Sequence, residues 1–107
     1  MTQFDDLTEE EKAAAKAELE LKDQIRKERE DDDLKQVMST EYGRRFVWKI
    51  LSASGVFHSS FSSDPYSTYF KEGARNRGLE LFNSVLSVCP DLYLVMAEEA
   101  KEQENNQ

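Results

Sequence analysis

Few side chains in this sequence could do covalent chemistry. The chain has one histidine, His58, in Gly55-Val56-Phe57-His58-Ser59-Ser60-Phe61, and one cysteine, Cys89, just before Pro90. His58 could serve as a general base, but no acidic residue lies near it in sequence to orient the ring, so a hydrogen-bonded loop histidine is the simpler reading. Cys89 reads as a small buried hydrophobe, and a lone cysteine has no intrachain disulfide partner. Zinc needs three or four Cys or His ligands, and this chain has two in total. Asp31-Asp32-Asp33 could suggest calcium ligation, but lacks the glycine and terminal glutamate of a calcium loop. With no phosphate-binding glycine loop either, the expectation is no enzyme activity, no metal and no cofactor.

Two basic clusters carry the remaining chemistry. Gly43, Arg44 and Arg45 open one helical pattern. Gly73, Arg75, Asn76, Arg77 and Gly78 sit in the middle of another. Arginine can grip phosphate or carboxylate with two parallel hydrogen bonds. It can equally pair inside the protein, here with Glu41, Glu72, Glu80 or a helix C-terminus. Arg44 and Arg45 are adjacent and cannot share one helix face, so at least one should face solvent or a partner.

The elements that must position these residues read as helices. Thr8 followed by Glu11 is a capping box, in which hydroxyl and carboxylate satisfy each other's free backbone N–H. The helix after it is rich in Ala, Lys, Glu and Arg, with i,i+4 pairs Glu18–Lys22 and Asp23–Lys27. Its apolar stripe is thin: Leu7, Ala14, Ala17, Leu21 and Ile25. Asp31–Asp33 should interrupt it or start a new helix. Ser39 or Thr40 can cap a second helix over Glu41–Ala53, with Phe46, Val47, Ile50 and Leu51 at helical spacing and Gly55 as its stop. Asp64-Pro65 starts a third, running to about Val88. Gly73 and Gly78 weaken it and so suggest close approach of another segment. The aromatic residues Phe57 and Phe61 of the connection should tuck inward. Pro90 ends this helix or opens a fourth, over about Asp91–Gln103.

Composition agrees with a small all-α protein. The 107 residues are 38% hydrophobic and 34% charged, with a mean hydropathy of -0.75. Such a chain cannot bury a large core. The expected architecture is a bundle of about three helices with a long, polar N-terminal helical extension. Residues 1–33 form the extension, 34–103 the compact domain and 104–107 a disordered tail. The net charge of -8 is uneven: residues 1–40 carry -6, residues 41–88 carry +2 and residues 89–107 carry -4. Acidic ends repel nucleic acid, which is therefore not expected as the main ligand. No apolar run approaches the length of a membrane span, and no signal peptide is visible, so a reducing compartment and no membrane are expected.

The stretches Gly43-Arg44-Arg45-Phe46, Gly55-Val56-Phe57, Ser60-Phe61, Phe70-Lys71-Glu72-Gly73-Ala74-Arg75-Asn76 and Gly78-Leu79 together resemble a family of small tailed-phage structural proteins named after a Bordetella phage gene product. The resemblance covers roughly residues 34–97, and its last motif is the most specific. It implies a non-enzymatic virion or assembly protein that binds portal, capsid, scaffold or internal virion proteins, made in the host cytoplasm and located in the virion. Alternatives are a small phage regulator binding a host protein, and a DNA-associated packaging or ejection factor using Arg44, Arg45, Arg75 and Arg77. The resemblance also points to Arg44, Arg75 and Asn76 as a linked polar cluster or a partner contact. Self-association through the N-terminal helix is a further expectation.

Overall fold

The structure is a computed structural model describing residues 6–57 and 65–106, with Pro65 and Tyr66 described by their backbone alone. The described residues form four helices: α1 Glu9–Met38, α2 Glu41–Ala53, α3 Pro65–Val88 and α4 Pro90–Asn105. The protein is all-α. His58, Phe61, the serines from Ser59 to Ser63 and the Asp64 cap lie outside the described residues.

The chain divides into two compact units, one ending at Asp32 and one beginning at Asp33. The first contains most of α1. The capping box forms as expected: the Glu11 N–H donates to Thr8 Oγ1 at 3.1 Å, and the Thr8 N–H donates to Glu11 Oε1 at 3.5 Å. Glu9, Glu10 and Glu11 complement the positive end of the helix dipole. Glu18 pairs with Lys22 at 3.2 Å, whereas Asp23 pairs with Arg26 at 3.4 Å. No residue from Glu9 to Asp32 is buried.

Asp31–Asp33 neither breaks α1 nor starts a new helix; α1 runs through all three. Aspartate is a mediocre helix former but costs less than Gly, about 2 kcal/mol for the three together at most. No Gly or Pro stands near them. The residues just after them are anchored, with Met38 fully buried and Leu34 packed on the core.

In the second unit, α2, α3 and α4 pack against one another pairwise. The core is Met38, Val47, Leu51, Val56, Val85, Cys89 and Met96. Thr40 is the α2 cap, accepting from the Gly43 N–H at 3.1 Å. The other end of α2 closes in a Schellman turn. Gly55 takes φ +78°, the Val56 N–H reaches the Leu51 carbonyl at 3.4 Å, and the Gly55 N–H reaches Ser52 at 3.3 Å. Left-handed φ is nearly free for glycine, and the turn delivers Val56 into the core. Phe57 does not tuck inward as expected: it stays 41% exposed, at the edge of the core, as the second member of a ladder of rings that begins at Trp48. Trp48 lies 5.2 Å from Phe57, Phe57 6.1 Å from Phe82, and Phe82 5.4 Å from Tyr93, the last two edge to face. Pro90 opens α4 at its first position, and α4 continues two residues beyond the expected Gln103.

Candidate functional site

Arg44 projects from the first turn of α2, one residue after Gly43. Gly43 is buried, and a Cβ there would run into the Val37 carbonyl oxygen. Only a glycine lets α2 start this close to the last turn of α1. That approach places Arg44 over the C-terminus of α1, where Nη1 donates to the Met38 carbonyl at 2.9 Å. This carbonyl belongs to a helix end with no intrahelical partner. The same guanidinium reaches α4 and grips Glu99, Nε to Oε1 at 2.6 Å and Nη2 to Oε2 at 3.2 Å.

Both partners of the pair are largely shielded, with side-chain exposures of 13% for Arg44 and 24% for Glu99. Hydrogen bonding to Arg44 holds the Glu99 carboxyl below the usual glutamate range, against the opposing effect of burial. Hydrogen bonding to Glu99 likewise raises the Arg44 pKa. Arg44 is thus committed to three internal bonds that tie α1, α2 and α4 together.

Arg45 has no such hydrogen bonds to α4. It is exposed and reaches Glu41 only at 3.9 Å, a contact worth little in water. Beside it, between α2 and α4, is a cleft of ≈ 20 Å³ lined by Glu41, Arg45, Trp48, Met96, Glu99, Ala100 and Gln103. It has room for about one water and not for a metabolite.

The second motif divides along α3. Gly78 is buried, and a Cβ there would stand 2.5 Å from both Ser54 Cβ and Val56 Cγ2. Its bareness lets α3 cross the turn that ends α2. Gly73 is exposed, and no described atom lies within 4 Å of its Cβ position. The expected close approach therefore holds at Gly78 and fails at Gly73. Arg75 is half-buried, with Nε shielded from solvent and without a hydrogen-bond partner. Asn76 and Arg77 are exposed. No hydrogen bond or ion pair among the described residues joins Arg44 or Arg45 to the Gly73–Gly78 stretch.

Residue patterning alone missed two features. Glu99, Arg44's partner, lies 55 positions away, beyond the reach of local spacing. The exposed apolar residues are the other. Tyr42, Phe46 and Ile50 recur every four residues along α2 and are 71%, 60% and 37% exposed. They share the helical period of the core residues Val47 and Leu51, which disguises them as core.

Cys89 sits buried at the start of α4, and burial pushes its thiol pKa up, which disfavours the reactive thiolate. The described residues hold no group of three or more His, Cys, Asp or Glu that could bind a metal ion. No single helix among them is long and apolar enough to cross a membrane.

No curated protein and no solved structure matches this chain. The family model of Bbp19-like phage proteins matches residues 34–98. That stretch is more than half of the chain, contains both basic motifs and α4 as far as Glu98, and falls wholly within the second compact unit. The chain belongs to the family of Bbp19-like phage proteins.

Proposed function

We propose that this chain is a non-enzymatic phage protein that acts by binding other phage proteins, as a component of the virion or of its assembly. The observation that carries this reading is the Tyr42-Phe46-Ile50 stripe on α2. Large side chains exposed in a row on one helix are what a protein partner covers, whereas scattered single exposures need no explanation. Membership of a phage family supports partners of phage origin, such as portal, capsid, scaffold or internal virion proteins. The DNA reading loses one of its four arginines, because Arg44 is engaged by Glu99 and the Met38 carbonyl.

Mass spectrometry of purified particles and procapsids, with copy numbers, tests the proposal. The protein should be present in at least one of them. Phe46→Asp, on an exposed position, should reduce incorporation while leaving the far-UV spectrum unchanged. Finding the wild-type chain in infected cells but in neither particle would overturn the reading. A few copies would indicate a vertex component, and hundreds a capsid or scaffold association.

A further inference from the structure

We propose that the first half of α3 is a self-association face, on which two copies of this chain pair antiparallel across a two-fold axis at Gly73. The inference does not depend on the function proposed above. It starts from a face that the fold leaves uncovered. At the α-helical repeat, Tyr69, Phe70, Asn76, Arg77 and Glu80 all lie within about 60° of Gly73 around the helix. Every one of them is exposed, with Tyr69 at 76% and Phe70 at 79%. Two adjacent aromatic residues this open, on a helix that is buried only from Gly78 onward, form a larger apolar surface than isolated exposure would give.

Gly73 is the second, independent observation. It is an exposed glycine in a helix interior, where it weakens the helix. It has no neighbour among the described residues to make room for. Gly78, on the same helix, shows what such a residue does when it has one: it admits Ser54 and Val56. Gly73 offers the same bare backbone to the outside, flanked by aromatic walls.

The occupant follows from the order of side chains along the face. In an antiparallel pair centred on Gly73, a residue n positions before the glycine meets one n positions after it. Tyr69 then meets the partner's Arg77, four positions on either side. Phe70 meets the partner's Asn76, three on either side. By symmetry each contact occurs twice. The guanidinium of Arg77 has no ion-pair partner among the described residues of its own chain. It would rest on a tyrosine ring, a favourable cation–π arrangement. A parallel pair would instead oppose Arg77 to the partner's Arg77. Pairing with the α2 stripe of another copy would join two different surfaces and would give rings or open chains unless both contacts were exchanged. The face is therefore complementary to itself, in one direction only. From Tyr69 to Glu80 it is about 17 Å long, so the dimer should be a weak one.

Sedimentation equilibrium of the full chain, up to about 1 mM, is the first test. It should show a monomer–dimer equilibrium. Because each substitution counts twice across the axis, Tyr69→Ala and Arg77→Glu should each raise the dimer Kd roughly tenfold or more. Thermal melts of both variants at dilute concentration should match wild type. Gly73→Cys, on the axis, should cross-link two copies under mild oxidation. Lys71→Cys, exposed on the far side of α3, should not. A monomer across the whole range overturns the proposal. So does a dimer insensitive to both substitutions, which would place association elsewhere, or cross-linking at Lys71→Cys as fast as at Gly73→Cys.

Discussion

At the residue scale, the arginines of one sequence motif have opposite fates, and their substitution separates them. Arg44 holds three charge-assisted bonds in a shielded site. Arg44→Met should lower stability by about 2 kcal/mol, as expected when a hydrogen-bonded charge partner is removed and Glu99 and the Met38 carbonyl are stranded. Chemical denaturation measures it. The pH dependence has a definite sign. The folded-state pKa of Glu99 is depressed, so the pair's contribution is fully present above the unfolded-state glutamate pKa of about 4.3. It is lost as pH falls through the lower folded-state value. Glu99→Gln should therefore be less stable than wild type at neutral pH, with the difference shrinking in acid. Arg75 behaves differently. Its Nε is shielded without a partner, a configuration that costs about 1–3 kcal/mol. Arg75→Met keeps the stem and removes that group, so it should melt at or above the wild-type temperature.

The two α3 glycines make the matching contrast between elements. Gly78→Ala gains about 1 kcal/mol of helix propensity. Its methyl group would nonetheless press on the Cβ of Ser54 and a branched methyl of Val56, neither of which is the end of a flexible chain. Overpacking of this kind costs about 1–3 kcal/mol, so the melting temperature should fall. Gly73→Ala meets no such obstacle and should raise the monomer's melting temperature by about 4–8 °C. Sequence alone treats the two glycines alike, because which one faces another segment is decided by where the α2 turn lands. What depends on neighbours in the chain was legible. The Glu41–Ala53 bounds, the Thr40 cap, the Gly55 stop, the Pro65 start and the Thr8–Glu11 box all follow from side chains acting on backbone within a few residues. What depends on distant residues was not. The Arg44–Glu99 pair, the openness of Gly73 and the exposure of Phe46 are settled by packing. The run of α1 through Asp31–Asp33 is a milder case, where modest unfavourable propensity is outweighed by apolar residues just beyond.

For the whole molecule, stability is concentrated in one of its two units. Every buried apolar side chain among the described residues lies between Met38 and Met96. A chain beginning at Asp33 retains all of them and should unfold cooperatively within a few degrees of the full protein, by calorimetry. In the intact chain, amide hydrogens from Glu9 to Asp32 should exchange far faster than those from Phe46 to Leu51, since helices without burial open locally at little free-energy cost. The family match covers the same unit that holds the core. The acidic stretch of α1 before Leu34 lies outside that match.

The ladder of rings that begins at Trp48 also makes the protein optically lopsided. Trp48 is the chain's sole tryptophan and stacks on Phe57, while every tyrosine lies after Asp33. Ultraviolet emission therefore reports the second unit alone, and circular dichroism reports the helices of both. A titration with a binding protein that changes ellipticity but leaves the emission maximum still would locate the contact on the acidic helix. One that shifts the emission maximum would locate it on the ring-bearing helices, without any label being introduced.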